Sequence, residues 1–142
     1  MDIVLIDTDV IVDFFFDRKP FSKHAATILS WCEEKRIVGY ITPVICSNTY
    51  YLLRQTATHE KVMSKLTQLL SIVDIIQMDG QVVRSALSSN FNDFEDALQH
   101  YAAVSHGKIN VILTRNTKDF RNSEIGVMTP ENYIHTKEFK KE

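Results

Sequence analysis

Four consecutive apolar residues, Ile3-Val4-Leu5-Ile6, stop on Asp7-Thr8-Asp9 almost at the start of the chain. A strand without polar alternation is buried on both faces, which places it inside a parallel sheet covered by helices. Ligands of such sheets bind beyond the carboxyl ends of the strands, so the acids after Ile6 emerge where sites form. Val111-Ile112-Leu113-Thr114-Arg115-Asn116-Thr117-Lys118-Asp119-Phe120 repeats the pattern, a short apolar run followed by polar groups. A further acidic cluster, Asp93-Phe94-Glu95-Asp96, opens an alanine-rich helical pattern. Separate segments thus bring carboxylates to one sheet edge, and negative charge so concentrated calls for a cation. A divalent metal site is the natural reading.

Periodicity and punctuation place strands at 3–6, 37–41, 73–78, 111–114 and 126–128, the last one weak. Helices are expected at 10–16, 21–34, 43–55, 59–70, 80–87, 93–106 and 130–134. Thr42-Pro43 is a helix start, because threonine accepts an orphan amide and proline fits the first turn. In that helix Val44, Ile45, Tyr51 and Leu52 are expected to face inward. Asp79 and either Asn92 or Asp93 cap later helices, and Gly107 ends one. Strands alternating with helices predict a parallel sheet with helices on both faces.

The 142 residues favour one domain, enough to bury roughly 70% of the unfolded surface without disulfide staples. A net charge of −2 argues against nucleic-acid binding by charge alone, although Lys and Arg collect locally at Lys35-Arg36, at Lys118 with Arg121, and at Lys137, Lys140 and Lys141 in the tail. Cys32 and Cys46 lack metal or redox spacing and read as small buried residues. No apolar stretch approaches the about 20 residues a membrane span needs, and no basic leader precedes Ile3. A cytoplasmic protein complete from Met1 is expected.

His24, His59, His100, His106 and His135 show no ligand spacing; Asp96 and His100, four apart, could share a helix face, but a surface histidine is the better reading, which argues against zinc. Ser47 lies in no nucleophile elbow, and no glycine-rich phosphate loop occurs. Hard, oxygen-ligated Mg²⁺ or Mn²⁺ remains. Asp7 is the first group to leave the sheet edge, while Asp9 reads equally as a helix cap. Asp93 and Asp96, three apart, share a helix face. Capping explains one acid of their cluster well and three poorly. Asn116 and Asp119 follow the fourth strand, Asp119 alternatively pairing with Arg115, Lys118 or Arg121.

Taken in order, Ile3 to Val10, Ile41-Thr42-Pro43, Asp93-Phe94-Glu95-Asp96-Ala97-Leu98-Gln99 and Leu113 to Phe120 resemble a PIN domain, closest to small bacterial members of the VapC toxin type. The likeness spans a PIN-like domain over 1–136, leaving a charged tail over 137–142. It implies a three-layer α/β/α sandwich around a mainly parallel five-stranded sheet. It also implies a Mg²⁺- or Mn²⁺-dependent endoribonuclease that hydrolyses RNA phosphodiester bonds, often a homodimer and, in toxins, partnered by a small antitoxin protein. On this resemblance Asp7 is the first acid, Asp96 the third, and Asn116 to Asp119 the fourth position. Asp93 is an accessory acid in the metal set. Asp7 and Asp96 are expected to hold the ion, Asp93 and Asp119 to support it through water. Thr8, Thr114, Arg115 and Asn116 are expected at the substrate.

One position departs from the pattern. The second acid, usually a Glu early in the helix opened by Thr42-Pro43, is replaced by Asn48. Asparagine can orient a ligand water but brings no charge. The alternative is therefore a non-catalytic PIN-fold module that binds RNA or protein. A haloacid-dehalogenase-type phosphatase fits Asp7-Thr8-Asp9 loosely, but lacks the glycine after its second Asp and a convincing lysine.

Overall fold

Val4, Leu5 and Ile6 are all fully buried, and since successive side chains of a strand point to opposite faces, both faces of the first strand are covered. The computed structural model describes residues 1–137. The chain runs β1 (Ile3–Ile6), α1 (Thr8–Phe15), α2 (Ser22–Glu33), β2 (Val38–Ile41), α3 (Pro43–Leu53) and α4 (His59–Leu69). It continues through β3 (Asp74–Ile75), α5 (Gly80–Leu87), α6 (Phe94–His106), β4 (Val111–Leu113), a 3₁₀ turn (Thr117–Phe120), β5 (Gly126–Met128) and α7 (Pro130–Thr136).

The sheet order is β3-β2-β1-β4-β5, with every neighbouring pair parallel. The chain moves outward from β1 to β2 and β3, then crosses back to lay β4 and β5 on the other side. The topological switch point therefore lies between β1 and β4, where open α/β sheets place their ligands. The Asp7 amide extends this pairing past the strand ends, donating to Leu113 O at 3.0 Å.

Side-chain caps set the helix starts except that of α2. Thr42 Oγ1 accepts the Ile45 amide at 3.1 Å and donates to Gln99 Oε1 at 2.6 Å, tying the start of α3 to α6. Asp79 accepts the Val82 amide, and Gly107, at φ 82°, takes the left-handed conformation that closes α6. At the far end of the chain, Asp2 Oδ2 accepts from Tyr133 at 2.7 Å and pairs with Lys137 at 2.8 Å. Lys137, expected in the tail, is thus anchored; residues 138–142 lie outside the described residues. Among the latter, no helix is long and apolar enough to cross a membrane.

Three expectations change. The strand expected over 73–78 shortens to Asp74–Ile75, because it pairs only with the last two residues of β2 before Thr42-Pro43 turns away. The inward face of α3 is Ile45, Thr49 and Leu53, whereas Tyr51 is 68% exposed. Thr49 reads as apolar here because its hydroxyl is satisfied locally, donating to Ile45 O at 2.8 Å. Helix α1 starts at Thr8 rather than Val10, since Asp7 occupies its N-cap.

Helix α2 lies close against β2 at Gly39, where a Cβ would stand 2.6 Å from Cys32 Sγ and 3.1 Å from Val73 Cγ1. Gly39→Ala is expected to lower the urea unfolding free energy by about 1–3 kcal/mol through overpacking. Adding Cys32→Ala should recover part of that loss, and strictly additive costs would show that the contact does not limit packing.

Candidate active site

At the switch point the side chain of Asp7 is held from two sides. Its Oδ1 accepts the Thr8 amide at 2.8 Å, and its Oδ2 accepts the Thr114 hydroxyl at 2.9 Å. Thr114, immediately past β4, is fully buried and also accepts the Asn116 amide at 3.1 Å. Asp9, in the first turn of α1, accepts the Arg115 amide on Oδ2 at 2.9 Å. Strand exits and helix start are therefore laced together by the acids.

Helix α6 delivers the opposing wall. Asp93 is its N-cap, accepting the Asp96 amide at 3.0 Å, and acids in a first turn suit the positive end of the helix dipole. Glu95 Oε1 accepts from Asn48 Nδ2 of α3 at 2.7 Å. Asn116 and Asp119, exposed on the 3₁₀ segment, close the third side.

The result is an open cleft of about 370 Å³ whose lining includes Asp7, Thr8, Asp9, Arg18, Asp93, Glu95, Asp96, Asn116 and Asp119. Six of these are carboxylates and one is a cation. Burial, then the neighbouring Asp9 charge, pushes Asp7 up to about 7; Asp7 is only 7% exposed. Burial followed by the charges of Asp93, Asp7, Asp119 and Glu95 pushes Asp96 up to about 7. Burial likewise raises Asp9, against the opposing pull of Arg115, and raises Glu95 with help from the Asp93 charge. Asp9 Oδ1 and Thr8 Oγ1 are buried with no hydrogen-bond partner, an expensive state unless a ligand completes them.

Hard oxygen donors, unsatisfied and mutually repelling, fit Mg²⁺ or Mn²⁺. Among the described residues no three His, Cys, Asp or Glu side chains are already drawn into a closed ligand set. Mg²⁺ keeps several waters and uses few carboxylates, which matches an open cleft better than a cage.

Of the residues singled out in the sequence, Asp7, Thr8, Asp93, Asp96, Asn116 and Asp119 meet in this cleft. Thr114 lies beneath it as the donor to Asp7, and Asn48 stands behind Glu95. Arg115 turns away from the cleft. Its guanidinium grips Asp13 through Nε at 2.6 Å and Nη2 at 3.0 Å, stacks over Phe21, and lines a neighbouring cavity. Asp9 is a wall of the cleft as well as a first-turn acid; Glu95, of the acidic cluster that opens α6, lines it too, and Arg18 was not anticipated there. The i, i+2 spacing of Asp7 and Asp9 was the available signal for Asp9; Arg18 carries none. His100, expected at the surface, is buried at 1% exposure, paired with Ser123 Oγ at 2.9 Å and packed on Phe91.

Two stability measurements separate the acids of the cleft from Asp13. Without metal, Asp96→Asn should raise stability, because the folded state holds this carboxyl above its unfolded pKa and ionising it opposes folding. The gain should grow from about pH 4 to about pH 7 and then level off, solvent screening limiting it to on the order of 1 kcal/mol. Denaturant melts in EDTA check it. Arg115→Ala, in contrast, strands the 1%-exposed Asp13 with only Arg18 at 3.8 Å, and should cost about 3 kcal/mol in the same melts.

Residues 3–118 match the sequence profile of the PIN domain. No protein of curated function matches the chain. A toxin–antitoxin complex from Klebsiella pneumoniae is similar at 23% identity and TM-score 0.67, covering 89% of this chain and 97% of that one. VapBC-1 from nontypeable Haemophilus influenzae is similar at 13% identity and TM-score 0.66, covering 91% and 98%. VapC20 from Mycobacterium tuberculosis, a sarcin-ricin loop cleaving toxin, is similar at 14% identity and TM-score 0.61, covering 77% and 86%. With the sheet order, the acidic switch-point cleft and a profile match over most of its length, the chain belongs to the PIN domain family.

Proposed function

We propose that this protein is a metal-dependent endoribonuclease that hydrolyses RNA phosphodiester bonds, acting as the toxin of a toxin–antitoxin pair. The observation that carries the reading is the switch-point cleft, where Asp7 and Asp96 face one space beside buried oxygens that lack partners. Asp7, Asp96 and Asp93 would hold Mg²⁺ or Mn²⁺, with Asp119 beside them. The ion, when bound, lowers the pKa of its water and neutralises charge on the attacked phosphate.

The chain's own residues do the rest. Thr114 and the Thr8 amide fix both oxygens of Asp7, so that its orientation is set before any ligand arrives. The RNA backbone finds cations at the rim. Arg18 lines the cleft, and a contiguous cavity that shares Asp93, Asp96 and Asp119 adds Lys118 and Arg121. Acids at the centre and cations at the edge suit a phosphodiester gripped on its flanks. The non-catalytic reading rested on Asn48; a carboxylate nevertheless stands at that place, because Asn48 holds Glu95.

The similarity to toxin–antitoxin complexes supports a small antitoxin as partner, one whose cationic segment would block the acidic cleft. The exposed Phe14 and Tyr51 are available for a homodimer contact.

The test incubates purified protein with a mixed pool of cellular RNA in Mg²⁺ or Mn²⁺, beside EDTA and Asp96→Asn controls. Discrete fragments are expected in either metal and none in EDTA. Asp96→Asn should lower the rate by roughly 100-fold or more without loss of fold. Undiminished cleavage by the variant, or RNA binding without cleavage in both metals, would overturn the reading.

A further inference from the structure

We propose that Glu95 is the missing second acid of the cleft, delivered from α6 instead of α3, and that Asn48 is the residue that positions it. The inference rests on the nuclease reading above and adds a residue to that site.

The geometry begins with two side-chain bonds between the same pair of helices. Thr42, at the start of α3, donates to Gln99 at 2.6 Å, and Asn48 donates to Glu95 at 2.7 Å. Glu95 and Gln99 are four apart, hence neighbours on one face of α6. That face is pinned to α3 at both points, so Glu95 is not a loose first-turn acid free to swing into water. It is half-buried and lines the cleft with Asp7 and Asp96.

The chemistry of the donor also matters. An amide N–H₂ holds one carboxylate oxygen without neutralising the charge, as a lysine or arginine would. Only Oε1 is engaged; among the described residues Oε2 receives no hydrogen bond. Glu95 therefore arrives oriented and with one oxygen free of hydrogen bonds. Asp9 and Thr8 line the same cleft, and their Oδ1 and Oγ1 are buried without a hydrogen-bond partner. An acid at position 48 would set two carboxyl groups at hydrogen-bonding distance, where repulsion raises one pKa and the pair holds a shared proton. The pair thus carries one acid, and the asparagine at 48 is the complement of the glutamate at 95.

Mn²⁺ affinity by titration calorimetry reads this directly, with melts in EDTA to confirm folding. Glu95→Gln should weaken Mn²⁺ by roughly tenfold or more, and Asn48→Ala by a smaller factor, each with an EDTA melt no lower than wild type by more than a few degrees. Joining Asn48→Glu to Glu95→Gln moves the acid to α3 and should restore affinity to within about threefold of wild type. Asn48→Glu alone should not tighten binding. Cleavage in saturating Mn²⁺ should recover for Asn48→Ala, as expected of a positioning residue. Mn²⁺ binding that Asp7→Asn removes and Glu95→Gln leaves intact would overturn this inference and spare the nuclease. No Mn²⁺ binding by the wild type would overturn both.

Discussion

A carboxylate buried where two parallel strands part is the constraint to which the remainder of the structure answers. Asp7 cannot move outward, because its amide continues the β1–β4 pairing and both of its oxygens are hydrogen-bonded. Among the described residues no cation pairs with it, and the guanidinium of Arg115, just past β4, is committed to Asp13. Its ionisation is therefore opposed by burial and by Asp9. Most proteins avoid such an arrangement, and perturbed acids in a cleft gather where chemistry is done.

The chain contains its own contrast. Asp13 is more buried than Asp7, yet it meets a bidentate arginine on one side and Arg18 on the other. That is how this fold neutralises an acid it keeps for structure. The cleft acids receive amides and hydroxyls instead, from Thr8, Thr114 and Asn48, which orient a carboxylate and leave its charge in place. The difference in donor chemistry divides the neutralised acid from the acids of the cleft more sharply than burial does.

The sheet and most helices were legible because their signals are local: an unbroken apolar run, Thr42-Pro43 at a helix start, Gly107 at a helix end. Asp7, Asp93, Asp96 and Asp119 were legible as acids placed just past a strand or at a helix start. What sequence hid was pairing across the fold. Arg115 sits among the polar residues after β4 and looks available to a phosphate, but its partner lies 102 positions earlier. Glu95 looks like a first-turn acid until α3 is packed against α6, and Asn48 looks like a loss until its partner is known. His100 looked solvent-exposed because only tertiary contact brings Ser123 and Phe91 around it. Residues 47 to 107 positions apart have no pattern by which a single chain announces their meeting.

Helix α1 explains why Arg115 is spent in this way. Asp9 and Asp13 are one turn apart and so share a face. Arg115 engages both, its backbone amide on Asp9 and its guanidinium on Asp13. One residue at the exit of β4 is thereby clamped along the side of the helix that leaves β1. The clamp fixes where the chain goes next, and next come Asn116 and Asp119, which have no strand to hold them. An arginine free to reach RNA would leave that segment unanchored and Asp13 buried without its principal partner. The geometry thus gives Arg115 the task of framing the cleft, with Arg18, Lys118 and Arg121 the cations that line its rim.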